Sequence, residues 1–175
     1  MATATIDQVT TTLTEQHEKI KTMMATVQDS DGDQRKSAFT QLCSFLAAHE
    51  AAEEECVHAV AKQDLSGGDT QVVDKRIEEE DEAGKAITEL EGLGTDSPEF
   101  AAKFEQLSKA VIAHAEAEEH QELPKLAGIA TEDQLGRMQE ALSRVPQLAS
   151  RKSGSNTSFK DQLQAAKSQF AQSTE

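Results

Sequence analysis

The chain has 175 residues, six Phe with no Trp or Tyr, only three Pro and nine Gly, and a formal net charge of −15. Its wealth of Ala, Glu, Gln, Lys and Leu is the composition of long helices, and no Val/Ile/Thr-rich alternating run argues for strands. An acidic surface repels phosphate backbones and anionic lipid, so neither nucleic acid nor membrane is expected as a partner.

The acidity is uneven. Residues 150–175 carry Arg151, Lys152, Lys160 and Lys167 against Asp161 and Glu175, a net of +2, which leaves −17 for the remainder. The start, MATATIDQVTTTL, has neither a basic stretch nor an apolar core and does not read as a signal peptide. No apolar run reaches the roughly 20 residues of a membrane span. Cys43 and Cys56 sit 13 residues apart on one predicted helix. At about 1.5 Å per residue that separation is too long for a disulfide, so reduced thiols and a cytoplasmic protein are expected.

The first helix is predicted over residues 6–27, where Ile6, Val9, Leu13, Ile20, Met24 and Val27 recur at helical spacing. DSDGD breaks it. The second spans 33–62, with the stripe Phe39, Leu42, Leu46, His49, Glu53, Cys56, Val60, and ends at LSGGD. The third spans 70–93, with Val73, Ile77, Glu80 or Asp81, Gly84 and Ile87 inward. After GLGTDSP the fourth spans 98–122, with Pro98 in its first turn and Ser97 or Asp96 as cap. Its stripe is Phe100, Phe104, Leu107, Val111, His114, Glu118, Gln121, and Pro124 stops it. Helices of similar length joined by short loops predict an all-α, antiparallel up-down four-helix bundle over residues 1–128. An additional helix at 131–145, within the segment 129–149, is expected to pack on the bundle. Residues 150–175 read as a linker, ASRKSGSNTS, and a weakly helical tail.

Two pentads stand out: His49-x-x-x-Glu53-Glu54 and His114-x-x-x-Glu118-Glu119. They continue rows of Phe, Leu and Cys, and residues at i and i+4 point the same way on a helix. Each pentad therefore aims an imidazole and a carboxylate into the bundle, where unpaired polar groups are costly. A metal ion compensates, and imidazole nitrogen with carboxylate oxygen suits iron. The two halves read as copies of one hairpin: His17 precedes His49 by 32 residues and Asp81 precedes His114 by 33. The candidate ligands are His17, His49, Glu53, Asp81, His114 and Glu118, with Glu78, Glu80 and Glu82 crowding Asp81. With Glu53 and Glu118 bridging, three imidazoles and three carboxylates suit two metals, leaving room for oxo, hydroxo or water. No catalytic residue is expected beyond these ligands. His58 lies about 140° from Glu53 around an α-helix and is expected at the rim, and His120 is expected to be exposed.

These motifs, with EEEDEAGK on the third helix and ELP at 122–124, resemble bacterial hemerythrin-like proteins of the HHE cation-binding family over about residues 5–127. The resemblance implies a bundle holding two iron ions with an oxo or hydroxo bridge, which meets dioxygen, hydrogen peroxide or nitric oxide. Family members often carry His where this chain has Asp81, and the oxygen carriers have a further His where Glu118 stands. A carboxylate-rich set favours ferric iron. The function expected is therefore reaction with hydrogen peroxide or related small oxidants, catalase-like or scavenging. The alternative is a non-catalytic protein that binds dioxygen or nitric oxide, as sensor, carrier or iron store. A monomer or weak homodimer is expected, and no pocket for a larger molecule is evident from the sequence.

Overall fold

The helix starts follow from local chemistry. Thr5 accepts the Gln8 N–H while the Gln8 side chain accepts the Thr5 N–H, a reciprocal cap that opens α1 (Ile6–Asp29). Gly32, with φ +49°, makes the short turn into α2 (Gly32–Ala52) without a Cβ penalty. The same helical rod continues through a π-helical turn, Glu53–His58, into α3 (Ala59–Asp64). After α4 (Thr70–Glu91), the Ser97 hydroxyl accepts the Phe100 N–H and opens α5 (Pro98–Ala117). This rod also passes through a π turn, Glu118–Glu122, into α6 (Leu123–Leu126). Thr131 and Gln134 repeat the reciprocal cap at α7 (Glu132–Ala149), and α8 is Phe159–Ala171.

This computed structural model describes residues 4–65, 69–151 and 157–171. The sequence-predicted breaks at 66–68 and 152–156 lie outside the described residues. Among those described, all regular structure is helical, and the long rods form the expected all-α bundle. None of these helices is long and apolar enough to cross a membrane.

The core holds one feature that a single stripe did not announce. From Leu42 to Ala52 only Ser44 escapes full burial on α2. A helix buried on all sides needs partners on all sides. α1 covers one side, and α7 and α8 cover the other. The expected tail thus contains a packed helix: Phe159, Ala166 and Phe170 are buried, and the Phe159 N–H donates to Glu91 at 2.7 Å. Lys167 pairs with Glu54, which sets the basic segment against the acidic body. At one end of the bundle Phe39, Phe100 and Phe104 pack ring on ring, with centroids 5.1–6.0 Å apart.

Candidate metal centre

Four rods each send side chains to one level of the bundle. α1 sends His17, and α2 with its π turn sends His49, Glu53 and His58. α4 sends Glu80, and α5 with its π turn sends His114, Glu118 and Glu122. All are fully buried except His114, which keeps a narrow opening to solvent. The imidazole Nε2 atoms converge on the carboxylates. His17 Nε2 lies 3.3 Å from Glu118 and 3.6 Å from Glu53. His49 Nε2 lies 3.2 Å from Glu53. His58 Nε2 lies 3.1 Å from Glu80 and 3.5 Å from Glu118. His114 Nε2 lies 3.5 Å from Glu118 and 4.0 Å from Glu80.

Donor atoms within 4.8 Å of one another form three overlapping groups: His17, His49 and Glu53; Glu53, Glu80, His114 and Glu118; His58, Glu118 and Glu122. Glu53 and Glu118 each belong to two. His17 Nε2, both Glu53 oxygens, Glu80 Oε2 and Glu118 Oε2 are buried without a hydrogen-bond partner among the described residues. Buried lone pairs facing one another are costly in an apolar interior. A cation between them removes that cost, and nitrogen with carboxylate oxygen is the donor set that suits iron. The residues present therefore fit a metal centre.

Behind the centre, every imidazole is held by its other nitrogen. Nδ1–H donates to Glu119 from His17 (2.7 Å), to Glu122 from His58 (2.7 Å) and to Glu79 from His114 (3.0 Å). Glu79 is itself held by the buried Arg76 guanidinium at 3.0 Å. For His49 the tautomer follows from a backbone carbonyl. Leu142 C=O on α7 can only accept, so it takes the Gln16 amide N–H at 2.8 Å. The Gln16 oxygen then faces His49, whose Nδ1 must donate to it at 2.9 Å. In all four cases Nε2 is the nitrogen turned toward the converging carboxylates, and a metal takes its lone pair by displacing any proton it carries. Replacing Gln16 by Leu orphans both the Leu142 carbonyl and His49 Nδ1–H. It is expected to weaken metal binding roughly 10- to 100-fold, read by competition with a chelator. An unchanged affinity would show that this support is irrelevant.

Of the residues that the sequence singled out, the structure brings together His17, His49, Glu53, His114 and Glu118. Asp81 is not with them: it is exposed, and Glu80 takes the inward place on α4. The hairpin alignment misplaced it because the link after α4, residues 92–97, is longer than the link after α1, residues 30 and 31. Glu80 lies seven residues from both Val73 and Ile87, on the buried stripe. His58, expected at the rim, is buried inside. The cause is the π turn: i→i+5 bonding widens the helix and brings residues five apart onto one side, cancelling the α-helical offset. On α5 the Leu123 N–H bonds to Glu118 C=O across such a turn, and Pro124 has no N–H to restore the α ladder. His120 is exposed.

Residues 8–126 match the sequence profile of the hemerythrin HHE cation-binding domain. The chain belongs to this family. Among curated proteins it is similar to a DNA nickase from Nostoc sp. (strain PCC 7120 / SAG 25.82 / UTEX 2576), 28% identical over 104 residues, which is 59% of this chain. The match takes in 29% of that protein, so the chain spans less than a third of this relative's length. No solved structure matches it. The hemerythrin match ends at residue 126, before α7, yet Leu142 on α7 orients the amide that holds His49.

The charges of the hemerythrin site are interdependent. Burial alone would lower the His17 pKa, but the Glu118 and Glu53 carboxylates facing its Nε2 outweigh it and raise it to about 11. For His58, burial is likewise outweighed by Glu122 and Glu80, which hold it well above the usual histidine range. Burial, reinforced by the neighbouring His17, keeps His49 well below that range and neutral. Burial raises Glu53, with Glu118 adding to it, and burial raises Glu80 against the pull of His58. Burial would raise Glu118 too, but the facing His114 and His17 imidazoles prevail and hold it below the usual carboxylate range.

The pH dependence of the metal-free protein follows. His17 and His58 contribute stability that is complete below about pH 6.5, their unfolded value, and is lost as pH rises through their raised folded values. Glu53 and Glu80 keep protons that the unfolded chain has released above about pH 4.3, which also costs stability as pH rises. Glu118, with a lowered folded value, has finished titrating by pH 7, and His49 has largely done so. The Tm of the metal-free domain is therefore expected to fall from pH 7 to pH 9. Metal competes with those protons, so the gap between loaded and metal-free Tm widens over the same range. A constant gap would contradict the linkage.

Proposed function

We propose that the chain is a non-haem di-iron protein whose centre reacts with hydrogen peroxide or related small oxidants. The observation that carries this reading is the set of buried polar atoms on His17, Glu53, Glu80 and Glu118 that have no hydrogen-bond partner among the described residues, with Glu53 and Glu118 each shared between two donor groups. The ligand set is His17, His49, Glu53, His58, Glu80, His114 and Glu118. Glu53 and Glu118, each shared between two donor groups, would help to hold both irons. Asp81 is left outside. The iron pair supplies the redox chemistry, and the chain supplies geometry, charge and exclusion of water. Three anionic carboxylates at one centre favour ferric iron, which supports peroxide chemistry over reversible oxygen carriage.

The alternative, a non-catalytic binder of dioxygen or nitric oxide, is favoured by His58, because a fourth imidazole supports the ferrous state. Iron-loaded protein mixed with hydrogen peroxide separates the two: the enzyme reading requires multiple turnovers with oxygen release or reductant consumption. A lasting dioxygen adduct with untouched peroxide would leave the binding reading. The free thiols Cys43 and Cys56, raised by burial, fit a cytoplasmic setting, with monomer or weak homodimer as the working assembly. The nickase activity of the Nostoc relative is not carried over, because this chain spans 29% of that protein and its net charge of −15 repels a phosphate backbone.

A further inference from the structure

A cavity of about 430 Å³ lies against the metal ligands, between α1, α2, α4 and α5. His17, His49 and Glu53 face its inner end, and Ile20, Leu46 and Leu107 make up much of its largely apolar wall. It exists because α4 and α5 place alanines, Ala83, Ala86 and Ala110, along it where a bulkier residue would close it. Hydrogen peroxide has no use for this space, which is roughly fourteen times the ≈30 Å³ share of one water in the liquid. It lies within the size range of small-molecule pockets, about 300–1,000 Å³, and has their usual character: apolar walls with few polar groups.

One polar group is unused. Glu50 is 5% exposed and lines the cavity, and among the described residues its carboxyl makes no hydrogen bond or ion pair. Its oxygens are reachable from the cavity and have no protein partner among the described residues, so only a ligand or water in the cavity can satisfy them. The rim selects against anions. Its two cations are already engaged, Lys21 by Glu18 at 2.8 Å and Lys103 by Glu89 at 2.6 Å, while Glu79 and Glu82 add negative charge.

We propose that this cavity binds a neutral organic molecule with an apolar body of up to about ten non-hydrogen atoms and one O–H end set against Glu50. That chemistry is shared by organic hydroperoxides and by the alcohols derived from them. The assignment of the cavity to the reacting ligand rests on the proposed peroxide function, but occupancy does not depend on turnover.

The test is calorimetric titration of the metal-free and iron-loaded full chain with 2-phenyl-2-propanol. Isopropylbenzene, which lacks the O–H, and benzylamine, which is cationic, serve as comparisons. The alcohol is expected to bind one site and to exceed isopropylbenzene at least tenfold. Glu50→Leu should remove that preference and Glu50→Gln should keep it, while Ala83→Leu should block binding by filling the space. Displacement of the alcohol by isopropylbenzene hydroperoxide identifies the hydroperoxide as a ligand; failure to displace identifies the alcohol class alone, and either outcome supports the site. No binding of the alcohol to wild type, equal binding of isopropylbenzene, or a preference for benzylamine overturns it. Hydrogen peroxide turnover without alcohol binding sinks this inference and spares the proposed function. Alcohol binding without peroxide turnover does the reverse.

Discussion

Replacing Glu53 or Glu118 by Ala is expected to reduce the iron content from two ions per chain to one or none. Each carboxylate belongs to two donor groups, so neither metal position is complete without it. The loss in affinity should exceed roughly 100-fold, the upper end of what removal of a mere outer-shell partner costs. The two variants should diverge once the metal is stripped. Burial holds Glu53 above its usual range, so relief of that buried carboxyl offsets the loss of its contacts to His17 and His49, and the Tm should fall less than for Glu118. Glu118 is paired with His17, His58 and His114, so its removal breaks buried ion pairs and should cost about 3–5 kcal/mol. Iron analysis and melting curves of loaded and stripped protein read both effects. Full iron binding by either variant would remove that residue from the ligand set.

His58→Ala and Asp81→Ala make an opposed pair. His58 is 1% exposed and lies between Glu80, Glu118 and Glu122. Its loss removes one imidazole from the centre and leaves the Glu122 and Glu80 carboxyls without their cationic partner. Stability of the metal-free protein should fall by about 3–5 kcal/mol, and at least one iron should be lost. Asp81 is exposed and touches none of the converging groups, so Asp81→Ala should change stability by no more than about 0.5 kcal/mol and leave the iron content intact. The reverse pattern would return α4's contribution to Asp81 and place His58 outside the centre.

The two pentads were legible because they use α-helical geometry up to the point where the π turns begin. His49 to Glu53 and His114 to Glu118 are i,i+4 pairs within or at the end of ordinary helix, and the apolar stripe carried straight into them. His58 and Glu122 lie beyond that point. A periodicity of 3.6 residues turns His58 away from Glu53, and nothing in EEECVH marks the wider turn. On α5, Pro124 marks a broken ladder, but in sequence it reads only as a stop. Glu80 is visible on the stripe from Val73 to Ile87, but the hairpin repeat, 32 residues from His17 to His49 against 33 from Asp81 to His114, falls one residue along from it. The role of α7 is a different kind of gap. The contact from Gln16 to Leu142 joins residues 126 apart through a backbone carbonyl, which leaves no trace in residue identity.

The central claim is that these converging side chains hold two metal ions. It is tested most directly by the iron content per folded chain of protein produced with iron, with the near-ultraviolet and visible spectrum taken on the same sample. The account predicts two irons per chain, near-ultraviolet absorption from a bridged ferric pair, and a lower Tm once the iron is removed. A chain that takes up a single zinc or no metal, and melts at the same temperature before and after chelation, would contradict it.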